Sequence, residues 1–271
     1  MVIGLLFALG AMVLNSVAGL LESDATRHVT PRRSLAAQPR YLAGLVVDGL
    51  GWACTVVALR DLPVFVVQAV LGGAIALTAV GARLVYGSTL RRVDRLACGA
   101  CIAGLVLVAA SAGRERPDAP SVTAMLVLAA AAVLLVVGLV ASWSSILTWP
   151  MALIAGLGFG GSSVAVRAVH LGAGQDPLVL LRTAPVYLVI VFGAVGLIGY
   201  SRALGRSSLP RVTAILLVTE VTVPGLAGIV LLGDSVRPGW WPAMTAGLVL
   251  AVAGVVVLAG SPVHRPPPRP T

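Results

Sequence analysis

Two acidic side chains interrupt long apolar stretches of this sequence, and they are its strongest candidates for chemistry. Glu220 lies about ten residues into one stretch, roughly 15 Å deep if that stretch is a helix, and Asp48 lies roughly 10 Å deep in another. A charge at the centre of a membrane helix costs about 2.5–3.5 kcal/mol on insertion scales, so both should face a bundle interior. There they would exchange a proton or bind a cation. The alternative is a structural acid that accepts hydrogen bonds from an arginine or from Thr219, Thr222 or Thr55.

Four further polar residues are predicted to lie along the same path: Arg182, Gln68, Asn15 and Thr219. Arg182 lies about five residues into its apolar stretch, roughly 8 Å from the outer surface. Its guanidinium would pair with Glu220, bind an anionic substrate group or extend outward to water, and the last interpretation is slightly favoured. The amides of Asn15 and Gln68 would line the cavity or form interhelical hydrogen bonds, and the second role is favoured.

Three other patterns imitate functional motifs. The segment 156–161, Gly-Leu-Gly-Phe-Gly-Gly, matches the dinucleotide-binding pattern, but no strand precedes it. We expect these glycines to allow close helix approach or a local break. Cys98 and Cys101 have the spacing of a redox or zinc pair without a second pair, which favours helix packing. The three histidines are predicted to lie in loops or in the tail: His28, His170 and His264. We therefore expect no metal site and no cofactor.

These residues belong to a chain that water alone could not solvate. Hydrophobic residues make up 58% of its 271 residues and charged residues 11%, against about 25% charged in a soluble domain. The apolar residues form runs of about 20, the length that spans a bilayer. Helices are expected throughout, because the alternation of membrane β-strands is missing. We predict nine transmembrane helices at 2–21, 41–59, 63–85, 95–113, 121–141, 145–168, 177–201, 210–232 and 239–260.

The positions of the arginines predict the orientation. All 19 basic residues are arginine, and nearly all lie in the short connections between apolar runs. With the N-terminus outside, thirteen would lie on the cytoplasmic side and five on the outer side, Arg167 and Arg237 among the five. This asymmetry predicts a multi-pass protein of the cytoplasmic (inner) membrane with an outside N-terminus and a cytoplasmic C-terminus. It also explains the net charge of +9 without a nucleic-acid partner.

The chain also resembles itself. The end of the second stretch, 51–59, is similar to the end of the seventh, 196–204, and each is followed by a proline, Pro63 or Pro210. The segments 104–111 and 254–261 are similar as well. These matches predict two inverted four-helix repeats, 1–113 and 145–260. A connecting helix at 114–144 would separate the repeats, and a disordered tail would follow at 261–271.

The closing segment carries a family resemblance. Residues 231–258 run Leu-Leu-Gly-Asp234, a short polar turn, and then a helix with Gly247 and Gly254 seven apart. This pattern resembles the closing segment of the drug/metabolite transporter superfamily, EamA-like branch, and Glu220 resembles the acid which that family often carries in the preceding helix. The N-terminal half, which includes Gln68, is similar to nine-span magnesium-transporter-like (NIPA-type) relatives. The resemblance implies a bacterial transporter fold.

The leading functional hypothesis is therefore a secondary transporter that moves a small metabolite, amphiphile or cation by alternating access. No GxxxxGK[ST] loop is present, so a gradient would supply the energy. A divalent-cation (Mg²⁺) transporter or channel is one alternative, and a lipid-handling or non-transporting scaffold is another. We expect no enzymatic activity, because acids and histidines do not cluster at either face. The expected partners are the substrate and the lipid bilayer, with a homodimer left open.

Overall fold

The computed structural model describes residues 2–27, 39–86, 91–113, 120–144, 149–172, 184–204 and 209–259. Nearly all of them are helical, and the one β-bridge joins Ala112 to Val236. The helices in chain order are α1 (Val2–Arg27), α2 (Pro39–Asp61), α3 (Val64–Gly72), α4 (Ala74–Tyr86), α5 (Arg92–Ala110), α6 (Val122–Ala141), α7 (Trp149–Gly172), α8 (Ala184–Leu204), α9 (Leu209–Leu232) and α10 (Trp241–Ala259).

Eight of these helices are long and apolar enough to cross a membrane. The prediction of an all-helical, multi-pass membrane protein is thereby confirmed. The third predicted span, 63–85, was expected as one helix, and the structure divides it into α3 and α4 at Gly73. There the backbone tightens, because the Gly73 amide donates to the Val70 carbonyl at 3.0 Å. A Cβ at Gly73 would lie 2.5 Å from Leu105 Cδ1, so glycine lets α1 and α5 close over the break.

Helix α7 lies at the centre of the bundle, with 72% of its span buried, and contacts α2, α6, α8 and α9. Its glycines face two different neighbouring helices. Cβ atoms at Gly156 and Gly160 would meet α9, and those at Gly158 and Gly161 would meet α8. The prediction that segment 156–161 permits close helix approach is confirmed, and α7 continues through the segment without a break.

Helices α5 and α10 pack together in the same manner. A Cβ at Gly104 would lie 2.4–2.5 Å from the backbone of Gly247 and Ala251, so the two backbones are nearly in contact. Cys101 is fully buried here against Gly254, and Cys98 is buried beside it. The interpretation of the cysteine pair as helix packing is therefore confirmed.

Several helix termini meet at one end of the bundle, which we call the Asp234 end. Helix α2 ends there and α3 begins, α7 and α9 also end there, and α10 begins after a turn with positive φ at Gly233 and Gly239. Two backbone hydrogen bonds tie the end of α5 to this turn: Gly113 N donates to Ser235 O at 2.8 Å, and Arg237 N donates to Ser111 O at 2.9 Å.

Candidate functional site

Glu220 lies in the middle of α9 and is half-buried. In the described part of the chain it has no hydrogen-bond or ion-pair partner. The hydroxyls of Thr219 and Thr222 donate instead to their own helix, at Ile215 O (2.8 Å) and Val218 O (2.6 Å). Each hydroxyl has one proton. The alternative in which these threonines hold Glu220 as a structural acid therefore loses its donors.

Asp48, the second acid singled out by the sequence, lies on α2. It lies four residues after Gly44 and seven before Thr55, which places all three on one face of the helix. Gly44 and Thr55 are buried, whereas the Asp48 side chain is exposed. Thr55 donates to Gly51 O at 3.0 Å, and the charges of Asp48 and Glu220 interact. The two acids singled out by sequence therefore lie within electrostatic range of each other, one on α2 and one on α9.

Pro224 adds a second acceptor beside Glu220. Proline has no amide proton, so the Glu220 carbonyl, four residues earlier, lacks its helical donor. The Pro224 ring lies against Gly160 of α7, where a Cβ would overlap it and would lie 3.2 Å from the Glu220 carbonyl oxygen. Glycine at 160 thereby makes room for the proline. Glu220 consequently offers both its carboxyl group and its carbonyl oxygen at the middle of the bundle.

Gln68 is buried without a partner on α3. Its exposed fraction is 0%, and neither amide atom has a hydrogen-bond partner in the described part of the chain. Val64 and Gly72, one turn away on either side, are the α3 residues that approach Gly228 and Val221 of α9. Gln68 therefore faces α9 between these two contacts. An unpaired buried polar group costs about 1–3 kcal/mol, so Gln68 does not stabilise the fold through its amide.

Replacing Gln68 with leucine is expected to raise the thermal unfolding temperature of the purified protein, because the substitution removes two unpaired polar atoms at similar volume. The gain should correspond to about 1–3 kcal/mol. Ser111→Ala is the matched control, because the buried Ser111 hydroxyl has a partner, Val108 O at 2.7 Å. This control should lower the temperature slightly. A lower unfolding temperature for Gln68→Leu would show that the amide is paired after all.

The remaining predicted pathway residues have different environments. Asn15 is half-buried, its Oδ1 has no partner, and it lies against Gly51 of α2. Its neighbour Ser16 forms the interhelical hydrogen bond expected of this region, accepting from Thr78 Oγ1 at 3.0 Å. Arg182 lies outside the described residues. Among the predicted residues, Thr219 and Glu220 lie at the α9 midpoint, Asp48 lies within electrostatic range of Glu220, and Gln68 lies on the neighbouring helix α3.

A buried cluster at the Asp234 end is the feature that sequence reasoning missed. Arg167, 2% exposed, donates from Nη1 to the carbonyls of Leu59 (2.8 Å) and Arg60 (2.9 Å) in the last turn of α2. Its Nε lies 3.5 Å from Asp234 Oδ1. A cation at a helix C-terminus satisfies carbonyls that lack helical donors. Arg167 was predicted to lie on the outer side at the end of its apolar stretch, and the structure buries its side chain within α7.

Asp234 completes this cluster from the other side. Its Oδ2 accepts from Val64 N at 2.6 Å, and its own amide donates to Gly228 O at 3.1 Å. The carboxylate thus caps the start of α3, where Pro63 provides no side-chain cap. Burial raises the pKa of Asp234, although the Arg167 guanidinium and the Val64 amide oppose that rise. We call Arg167, Asp234 and the backbone groups that they bind the Arg167–Asp234 cluster.

His170 extends the same face of α7. It was predicted to lie in a loop, and this prediction is wrong because α7 continues to Gly172. The half-buried ring places Nε2 3.0 Å from Val56 O of α2. His170 and Arg167 therefore both bind the end of α2.

The described residues contain no group of three histidine, cysteine, aspartate or glutamate residues that could hold a metal ion. The cluster at the Asp234 end is a set of contacts between helices. Comparison with protein-family models, with curated proteins and with solved structures found no match to this chain.

Proposed function

We propose that this protein is a secondary transporter that works by alternating access between two halves, α1–α5 and α7–α10, with Glu220 as its coupling carboxylate. The observation that carries the proposal is the half-buried Glu220 at the middle of α9, without a partner in the described residues and within electrostatic range of Asp48. An intramembrane acid that is not used for structure is retained for exchange of a proton or cation.

The pairing of helices supports an inverted repeat. Helix α1 packs on α2 as α7 packs on α8, and α3 with α4 lies against α1 as α9 lies against α7. Two further pairs of helices, α5 with α10 and α3 with α9, pack together and join the two halves. Of the corresponding elements, α3–α4 is interrupted at Gly73, whereas α9 is continuous and contains Pro224. Interrupted helices at the interface of two repeats are typical of secondary transporters.

The distribution of contacts supports a state that is closed at one end. The Arg167–Asp234 cluster and the backbone bonds of Ser111, Gly113 and Ser235 all join the two halves at the Asp234 end. Asp48, eleven residues before Leu59 and roughly 17 Å from that end, is exposed. A pathway closed at one end and accessible from the other is what alternating access requires in each of its resting states.

The chemistry of the two acids favours a substrate that is cationic or that is exchanged for protons. Two carboxylates within electrostatic range of each other attract positive charge strongly where water is scarce. A bare divalent ion takes six or more oxygen ligands, whereas an organic cation or a metabolite exchanged for protons needs only Glu220 and Asp48. We therefore favour a small organic substrate.

Flux measurements test the proposal. Purified protein in proteoliposomes with an imposed pH gradient is given a mass-spectrometric panel of amines, amino acids and amphiphilic cations, with Mg²⁺ followed by an indicator dye. We expect gradient-dependent uptake of at least one organic compound above protein-free liposomes. Uptake of none, with no panel member raising the unfolding temperature, would contradict the transporter assignment.

The orientation is tested separately by cysteine labelling. Arg237 is exposed at the Asp234 end, and Arg92 is exposed at the start of α5 at the opposite end. With the native cysteines replaced by alanine, we expect a membrane-impermeant maleimide to label Arg237→Cys on intact cells. Arg92→Cys should be labelled only after permeabilisation, because arginine-rich ends face the cytoplasm. The reverse pattern would invert the topology.

A further inference from the structure

We propose that the Arg167–Asp234 cluster is the gate of the Asp234 end, which breaks each time the pathway opens there and re-forms when it closes. This inference rests on the proposed alternating access. It assigns positioning roles to Arg167 and Asp234, neither of which contacts the space around Glu220.

The bonds from Arg167 to α2 and from Val64 N of α3 to Asp234 join one half of the protein to the other, whereas the Arg167–Asp234 pair and the bond from the Asp234 amide to Gly228 O lie within the second half. Arg167 belongs to α7 and binds the carbonyls of Leu59 and Arg60 in α2. Asp234 follows α9 and binds the first amide of α3. By contrast, the side-chain bond from Thr78 to Ser16 stays within the first half. Separation of the halves at this end therefore requires the cluster to break.

The composition of the cluster suits repeated opening. A buried ion pair is close to energetic break-even, because the desolvation of both charges offsets most of their attraction. The Arg167–Asp234 distance of 3.5 Å is also longer than the 2.7–2.9 Å of a strong charge-assisted hydrogen bond. On opening, water can solvate the guanidinium, the carboxylate and the α2 carbonyls. An interdigitated apolar contact would gain no such compensation.

Helix α3 is short, and it is bounded by the cluster at one end and by a helix break at the other. It has nine residues, begins at the amide that Asp234 caps and ends at the Gly73 break. Loss of the cap frees its first turn, and the break separates it from α4. Opening of the gate can therefore tilt α3 without displacing the whole predicted span.

A cysteine reporter below the cluster tests the proposal. Ser163 lies one turn before Arg167 on the same face of α7 and is half-buried. In a cysteine-free background, Ser163→Cys is labelled with impermeant maleimide in right-side-out and in inverted membrane vesicles. We expect Asp234→Ala, which removes the acceptor of the Val64 amide, to raise the labelling rate from the Asp234 side by about tenfold or more and to lower the rate from the opposite side.

The matched control is Arg237→Gln. Arg237 is a charged residue of the same end, but it is exposed and stacks on Trp240 at 5.2 Å. Its replacement should leave both labelling rates unchanged. A folded Asp234→Ala protein that labels at the parent rate from the Asp234 side would overturn the gate and make the cluster a permanent structural contact.

A second variant tests the gate if the first variant does not fold. If Asp234→Ala fails to give a monodisperse protein, Arg167→Lys keeps the buried charge but lacks the guanidinium geometry, so labelling from the Asp234 side should still rise several-fold. The parent rate in this variant would overturn the gate. Because labelling needs no substrate, the result stands apart from the flux assay: absent flux counts against transport, and unchanged labelling counts against the gate alone.

Discussion

Replacing Glu220 with glutamine is expected to lower gradient-driven uptake by about tenfold or more, measured in proteoliposomes with whichever panel compound the parent protein transports. Glutamine matches the size of a protonated glutamate but cannot exchange a proton. Because Glu220 has no partner in the described residues, the substitution breaks no contact there. It also removes an insertion cost of about 2.5–3.5 kcal/mol. The unfolding temperature should therefore be unchanged or higher, which separates lost function from lost fold.

The chain provides a matched acid for comparison. Asp94 is 3% exposed, and its Oδ2 accepts from Arg91 N at 3.0 Å at the start of α5. Asparagine caps helices about as well as aspartate, so Asp94→Asn should leave uptake unchanged. Uptake by Glu220→Gln at the parent rate, with the same dependence on the pH gradient, would remove Glu220 from the coupling mechanism.

The membrane spans were the most predictable part of this protein, because bilayer thickness fixes the length of an apolar run. Eight of the nine predicted runs correspond to single long helices. The remaining run, the third predicted span at 63–85, is also apolar, yet the structure divides it at Gly73. Hydropathy is insensitive to such a break, which arises where Leu105 and Met12 pack over a residue without a side chain.

The acids at the centre were predictable one at a time but not as a pair. Glu220 and Asp48 each interrupt an apolar run, which makes them conspicuous in the sequence. Their proximity depends on the packing of both α2 and α9 against α7, and no local pattern specifies that arrangement. Gln68 was predicted to form ordinary interhelical hydrogen bonds, and the structure gives it none among the residues that it describes.

The Arg167–Asp234 cluster escaped prediction for a physical reason. An arginine two or three residues from the end of an apolar run has the same appearance whether it extends to water or bends back to bind a neighbouring helix. The partners that decide the matter, Leu59 O, Arg60 O and Asp234, are distant in sequence. Two of them are backbone carbonyls, which every residue provides.

Alanine at Gly158 is expected to destabilise the protein by about 3 kcal/mol or more, since overpacking at a rigid contact has no easy relief. Its Cβ would lie 2.5 Å from Gly196 N, 2.6 Å from Gly196 Cα and 2.8 Å from Phe192 O of α8. All three are backbone atoms, so no side-chain rotation can make room. Helix α7 cannot retreat either, because Gly156 and Gly160 hold it equally close to α9. The loss is measured as a lower unfolding temperature in detergent.

Gly193→Ala is the matched control for Gly158→Ala, at the same α7–α8 interface. A Cβ at Gly193 would lie 3.9 Å from Ser162 Oγ, an ordinary contact, so alanine should be neutral or slightly stabilising. Equal effects of the two alanines would mean that close backbone approach does not hold α7 to α8. The expected contrast would instead mean that α7, α8 and α9 are locked together as one body. Movement during transport would then have to occur where the halves meet through polar contacts that water can replace, at Arg167 and Asp234.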